Sequence, residues 1–276
     1  MNTRKLTLLT AALAAGVGFA QDNKAAEPKK APGPLSAEQM KNVVTTLLPS
    51  PGEILEASGS VAKIDWKKVV TEMAARPNAF KADYPLDEQK ALNLGVQVAN
   101  AIVALYAEDS DTFVKAVTAV EKLAFELSAD ESVAEARGKI QTLVEQQKWA
   151  EARQAVEALR GEVMEKLNSY GDQESVALAN VGGWLQGIHL VSTQVAANYS
   201  EASGKLLRQS DLVANLAKQI ASAKGQTGES ALLGQLREGL ATLEGVTKTE
   251  TTAPVSAENA KTISKTSAEL VSSIQI

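Results

Sequence analysis

Cysteine is absent from this chain of 276 residues, and histidine occurs once. Without a thiol there is no disulfide framework, no Cys-ligated zinc or iron–sulfur cluster, no thiol nucleophile, no covalent c-type haem and no lipidated cysteine. A single imidazole also excludes H-E-x-x-H metalloproteases and carboxylate di-iron bundles, which take a Glu-x-x-His from each of two helices. Aromatic residues make up only 4 % of the chain. Runs of alternating β-branched and aromatic residues are missing too, so no strand is predicted. A G-x-S-x-G elbow and a glycine-rich phosphate loop are also lacking, which leaves hydrolase and nucleotide-binding chemistry without a foothold.

What is present begins with an export address. Arg4 and Lys5 precede the uncharged run Leu6 to Phe19, which closes on Gly18-Phe19-Ala20. A positive start, an apolar middle and small residues before the cut are the layout of a secretory signal peptide, predicted over residues 1–20 with cleavage after Ala20. Its run of about 14 residues is short of the ~20 that span a bilayer. Residues 21–35 hold three prolines and three lysines and read as a solvated linker. Losing Arg4 and Lys5 takes the formal charge from −5 to −7. A modestly acidic exported chain suits neither nucleic acid nor an anionic membrane, since both reward clustered Lys and Arg. The expected location is periplasmic or secreted, with no stable membrane insertion after cleavage.

From residue 36 onward the apolar residues recur at three-four spacing, so the expected fold class is all-α: a bundle of about eight or nine helices. Ser36-Ala37-Glu38-Gln39 is a capping box for a helix ending at Pro49. Asp65 caps a second helix, Trp66 to Arg76, which Pro77 stops. Pro51 to Ser60 reads as one short helical turn within a loop. These pieces form an N-terminal cap over residues 36–80. The main bundle, 85–244, contains Asp87 to Glu108, Thr112 to Ser128 behind the capping cluster Asp109-Ser110-Asp111, a hairpin of Glu131 to Gln147 and Trp149 to Tyr170, then Glu174 to Ser200, Asp211 to Lys224 and Glu229 to Glu244. A linker, 245–255, leads to a last helix over 256–276 capped by Ser256. Lys148 to Arg153 resembles the middle of a tetratricopeptide unit, but no second copy follows at that repeat's period, so the segment is read as a single hairpin.

Two helices stand apart in a chain that is 22 % charged. Between Lys90 and Glu108, and again between Glu174 and Glu201, no Asp, Glu, Lys or Arg occurs. A helix without charge on any face is surrounded on every face, so these two form the centre. Each carries polar groups: Asn93, Gln97 and Asn100 on the first, Asn180, Gln186 and His189 on the second. Gly95, Gly182, Gly183 and Gly187 permit close approach, which offsets a cost of up to ~1 kcal/mol per helical glycine. Two accounts of the buried polar groups stand side by side. In one they pair with each other and with helix carbonyls. In the other Gln97, Asn100, Gln186 and His189, with Tyr106 and Tyr199, line a small ligand pocket between the helices.

The segment Gly187-Ile188-His189-Leu190-Val191-Ser192 resembles the G-x-H-x-x-E motif of the imelysin family, exported all-helical bacterial proteins linked to iron uptake. Only Gly187 and His189 carry over. Ser192 stands where that family has Glu, and one neutral imidazole is a weak metal site, so no metal ligand and no cofactor is assigned. The functional expectation is a non-catalytic, exported helical-bundle protein of the bacterial envelope, a structural or partner-binding module that exposes the hairpin Glu131 to Tyr170. The alternative is an imelysin-like bundle that binds a small molecule or metal beside His189.

Overall fold

The structure is a computed structural model that describes residues 51–276, apart from 129, 170, 171, 222, 227–229 and 251. The signal peptide, the linker and the capping-box helix at Ser36 lie outside the described residues. Eleven helices occur among them, with no strand: α1 (Pro51–Ala62), α2 (Trp66–Ala74), α3 (Asp87–Ala107), α4 (Ser110–Glu126), α5 (Asp130–Glu145), α6 (Trp149–Ser169), α7 (Gln173–Ala197), α8 (Glu201–Leu206), α9 (Ser210–Ile220), α10 (Ala231–Thr247) and α11 (Ala257–Gln275). Nine of the eleven are longer than nine residues, and the architecture is an all-α multi-helix bundle. No helix of the described residues is long and apolar enough to cross a membrane.

Single polar side chains set the helix starts. Asp65 accepts from the Lys68 N–H at 3.1 Å, Asp109 from Thr112 at 2.9 Å, Asp172 from Ser175 at 3.0 Å and Ser256 from Asn259 at 3.1 Å. Each satisfies one of the orphan donors of a helix's first turn, worth about 1 kcal/mol. Several helix ends fall short of the sequence expectation, with α2 stopping at Ala74 rather than Arg76, α7 at Ala197 rather than Ser200 and α9 at Ile220 rather than Lys224, and three further features differ. Pro51–Ala62 is a full helix and not a turn in a loop, because Leu55 is fully buried and Gly59 packs against the Trp66 indole. Proline at its first position gives up no hydrogen bond there. The short helix α8 is an addition to the expected elements, and Ser200 and Ser203 form a reciprocal capping box for it. Finally α10 continues through Gly245 to Thr247, whose hydroxyl bonds back to the Leu243 carbonyl, so the linker that follows is shorter.

The centre is α3 against α7. Every residue of α3 from Ala91 to Ala107 is buried except Tyr106, and Val181 to Ser192 of α7 is buried without a break. Backbones touch at Gly95 and Gly182: a Cβ on Gly95 would lie 1.9 Å from the Ala179 carbonyl oxygen, and one on Gly182 equally close to that of Leu92. Leu92 meets Gly182 and Asn100 meets Gln186, so residue numbers rise together and the two helices run parallel. Helix α11 lies against both and runs the other way, with Ser264 beside Thr193 and the Ile274 carbonyl beside Asn93. The remaining helices wrap this trio: α1 and α2 on α3 and α7, α4 and the α5–α6 hairpin outside α3, α9 and α10 outside α7 and α11. One hydrophobic cluster runs through all of it, from Leu55 to Ile274.

A latch holds the first turns of α3 and α7. Glu174 accepts from the N–H groups of Lys224 and Gly225, at 3.3 and 2.8 Å, and Glu88 from that of Gln226 at 3.1 Å. Successive N–H groups in such a turn form a concave anion site, here filled by the protein's own carboxylates. Gly225 has φ +70°, and a Cβ there would come 2.6 Å from Glu88 Oε1, so only glycine fits.

Candidate functional site

The uncharged faces of α3 and α7 put amides where only protein can answer them. Gln186 Nε2 donates to Asn100 Oδ1 at 2.6 Å, and Asn100 Nδ2 donates to Gln97 Oε1 at 3.1 Å and to the Ala79 carbonyl at 3.2 Å. Gln97 Nε2 donates to the same carbonyl at 2.8 Å. A turn earlier, Asn93 donates to the Ile274 carbonyl at 2.8 Å and accepts from the buried Tyr84 hydroxyl at 3.0 Å. Burial pushes that phenol's pKa up. Each amide on α3 thus reaches a different element: α7 through Asn100, the loop after α2 through Gln97, and α11 through Asn93.

The chain of amides does not close completely. Gln186 Oε1 is buried with no hydrogen-bond partner, and so are both ring nitrogens of His189, one helical turn further along. His189 is 5 % exposed. Burial depresses its pKa to about 4, the Arg76 cation adds to the effect, and the Ser264 backbone opposes it without reaching hydrogen-bond geometry. Arg76 comes from the turn that follows α2. Its guanidinium is half-buried, with its pKa lowered by desolvation and supported by Glu72. A buried neutral imidazole thus feels the charge of Arg76, and an unpartnered amide oxygen, that of Gln186, lies one turn earlier on the same helix. An imidazole beside a guanidinium favours anionic or neutral hydrogen-bonding company over a metal ion. Among the described residues no three of His, Cys, Asp and Glu converge as metal ligands.

Of the six residues singled out from sequence, Gln97, Asn100 and Gln186 share one hydrogen-bonded chain, and His189 sits next to it. Tyr106 and Tyr199 do not join them. The Tyr106 ring stacks on Trp66 at 5.2 Å, with the Arg153 guanidinium 4.6 Å from its centroid. Desolvation, with Glu56 assisting and Arg153 opposing, raises its pKa to about 12. The Tyr199 hydroxyl donates to the Val255 carbonyl at 2.9 Å and holds the approach to α11. Ser192, at the position of the imelysin glutamate, spends its hydroxyl on the His189 carbonyl at 3.3 Å. In sequence, Arg76 directly before the helix-stopping Pro77 reads as solvated surface, so no local pattern marks it as a neighbour of His189.

No protein-family model, no curated protein and no solved structure matches the chain. The resemblance to the imelysin motif therefore rests on Gly187 and His189 alone.

Proposed function

We propose that this chain is a non-catalytic helical-bundle protein, exported to the bacterial envelope, that serves as a structural or partner-binding module. The observation that carries the reading is the use made of the buried polar groups. Asn93, Gln97 and Asn100 are spent fastening α3 to three neighbouring elements, and none is left facing a described cavity. Catalysis needs an acid, base or nucleophile within reach of substrate; here the one imidazole is enclosed and depressed to about 4. The α5–α6 hairpin, charged on its outer face, is the surface on which a partner would be met.

A native mass spectrum of the protein taken from the envelope of the producing cell tests this. The reading expects a chain that starts at Gln21. An intact N-terminus with cytoplasmic recovery counts against export, and turnover in an activity screen that His189→Ala abolishes counts against a non-catalytic role.

A second reading is supported by the unpartnered nitrogens of His189 and the unpartnered Gln186 Oε1: a small-molecule or metal site beside His189. It expects a retained ligand in the same spectrum, lost in His189→Ala. Zinc or iron(II) titration that leaves the chain's thermal midpoint unmoved removes the metal version.

A further inference from the structure

Helix α4 carries two large apolar side chains that reach solvent: Val114, 45 % exposed, and Phe125, 67 % exposed. Eleven residues separate them, which on a helix is about 16.5 Å of rise and three full turns plus about 20°, so both stand on one stripe. At the Val114 end the stripe borders an apolar groove between α4 and α5. That groove has a volume of about 100 Å³, is partly open to solvent, and is floored by Phe113, Val117, Ile140 and Val144. An enclosed cavity of about 150 Å³ holds a benzene ring, so an open groove of this size takes a phenyl group with its outer edge left uncovered. Phe125 cannot fill the groove of its own chain, because about three turns of the same helix hold it away. The Phe125 of a second copy, running antiparallel, can. A two-fold axis midway between the two residues sets each Val114 opposite the other copy's Phe125, so both grooves are filled at once and the contact is isologous.

Charge agrees with that register. Near the middle of the stripe, Glu121 accepts from Arg137 of α5 at 2.6 Å, and the guanidinium, on the rim of the groove, keeps N–H donors beyond that bond. In the antiparallel pair the two Glu121–Arg137 bridges come within about one helical turn of each other, with carboxylate and guanidinium alternating, so each Arg137 lies between two carboxylates. A parallel pair would set Glu121 against Glu121 and Phe125 against Phe125, which repels at the centre and leaves both grooves empty. Between the ends, Thr118 donates its hydroxyl to the Val114 carbonyl at 2.8 Å and so adds no unmet donor to the seam. We infer that α4 is a homodimer surface, on which a second copy of this chain docks antiparallel with the Phe125 of each in the α4–α5 groove of the other. The inference goes beyond the proposed role of the module and does not depend on it.

The test is sedimentation equilibrium of the purified chain, followed by cross-linking through introduced thiols, which the absence of native cysteine makes specific. The expected result is a monomer–dimer equilibrium with no larger species, because an isologous contact closes on itself. Phe125→Glu, at an exposed position, weakens the dimer at least about tenfold with the far-ultraviolet circular dichroism unchanged. Val114→Cys mixed with Phe125→Cys gives a disulfide-linked dimer on mild oxidation, and neither variant does so alone. The inference is overturned by a chain that is monomeric at every concentration measured, or by a folded Phe125→Glu variant that dimerises as tightly as the parent. It is equally overturned if Val114→Cys alone cross-links as readily as the mixture, since that is the parallel arrangement. Should Phe125→Glu not fold, the thiol pair decides: no cross-link in the mixture rejects the surface. A monomer rejects this interface and leaves the readings of export and of a non-catalytic role as they stand.

Discussion

His189 makes the stability of this protein depend on pH in a calculable direction. Its ordinary pKa near 6.5 applies to the unfolded chain, and the folded value is about 4. The unfolded state therefore binds more protons through that interval. Stability from the neutral, buried ring is fully present above pH 6.5 and is lost as pH falls through 4, by up to about 3 kcal/mol. Urea unfolding at pH 7 and at pH 4.5 should show the loss, and His189→Leu should shrink the difference between the two, with the carboxylates' contribution common to both proteins. Equal pH dependence in parent and variant would mean that the ring is wet. At the glycines the expectation divides by contact. Gly182→Ala drives a Cβ into a backbone carbonyl that has nowhere to move and should cost about 3 kcal/mol or more. Gly161→Ala, on the exposed face of α6 with open space around it, should stabilise by about 0.5–1 kcal/mol. Thermal midpoints of the two variants check both signs.

At the scale of elements, the polar side chains of α3 act as fasteners. Asn100→Ala strands Gln186 Nε2 and Gln97 Oε1 together in the core, which should cost about 2–4 kcal/mol at ~1–3 kcal/mol per orphaned group. A denaturant midpoint no lower than the parent's would show that the amides find water instead. This layer is also where sequence stops being informative. Asp65, Asp109 and Ser256 could be read as caps one residue at a time, because a cap needs only its own next turn. The uncharged stretches could be read as central for a similar reason: charge avoids burial without a partner. But a helix apolar all round carries no mark of which face meets which neighbour. Neither the parallel pairing of α3 with α7 nor the choice of Ala79 and Ile274 as acceptors is written in any local pattern. α1 was hidden for the opposite reason: proline, two glycines and two serines give its 12 residues poor intrinsic propensity, and burial of Leu55 overrides it. At the candidate site, the amides and imidazole were visible in the two stretches, whereas Arg76 arrives from a distant turn.

For the molecule as a whole, the single cluster from Leu55 to Ile274 predicts one cooperative unfolding transition for residues 51–276, with circular dichroism and tryptophan fluorescence changing together. Removing residues 256–276 strips α11 from both α3 and α7. That shortened chain should keep much of its helix, bind a hydrophobic dye such as ANS and lose its sharp thermal transition. A sharp transition in the shortened chain would mean that α11 is an accessory.

The position of α11 also has a bearing on timing. Asn93 cannot meet its acceptor at Ile274 until 181 more residues have left the ribosome. Until then one flank of the uncharged pair α3 and α7 is bare, and the core stays open. Because that contact belongs to α11, the centre of the bundle is completed only after residues 257–275 have been made.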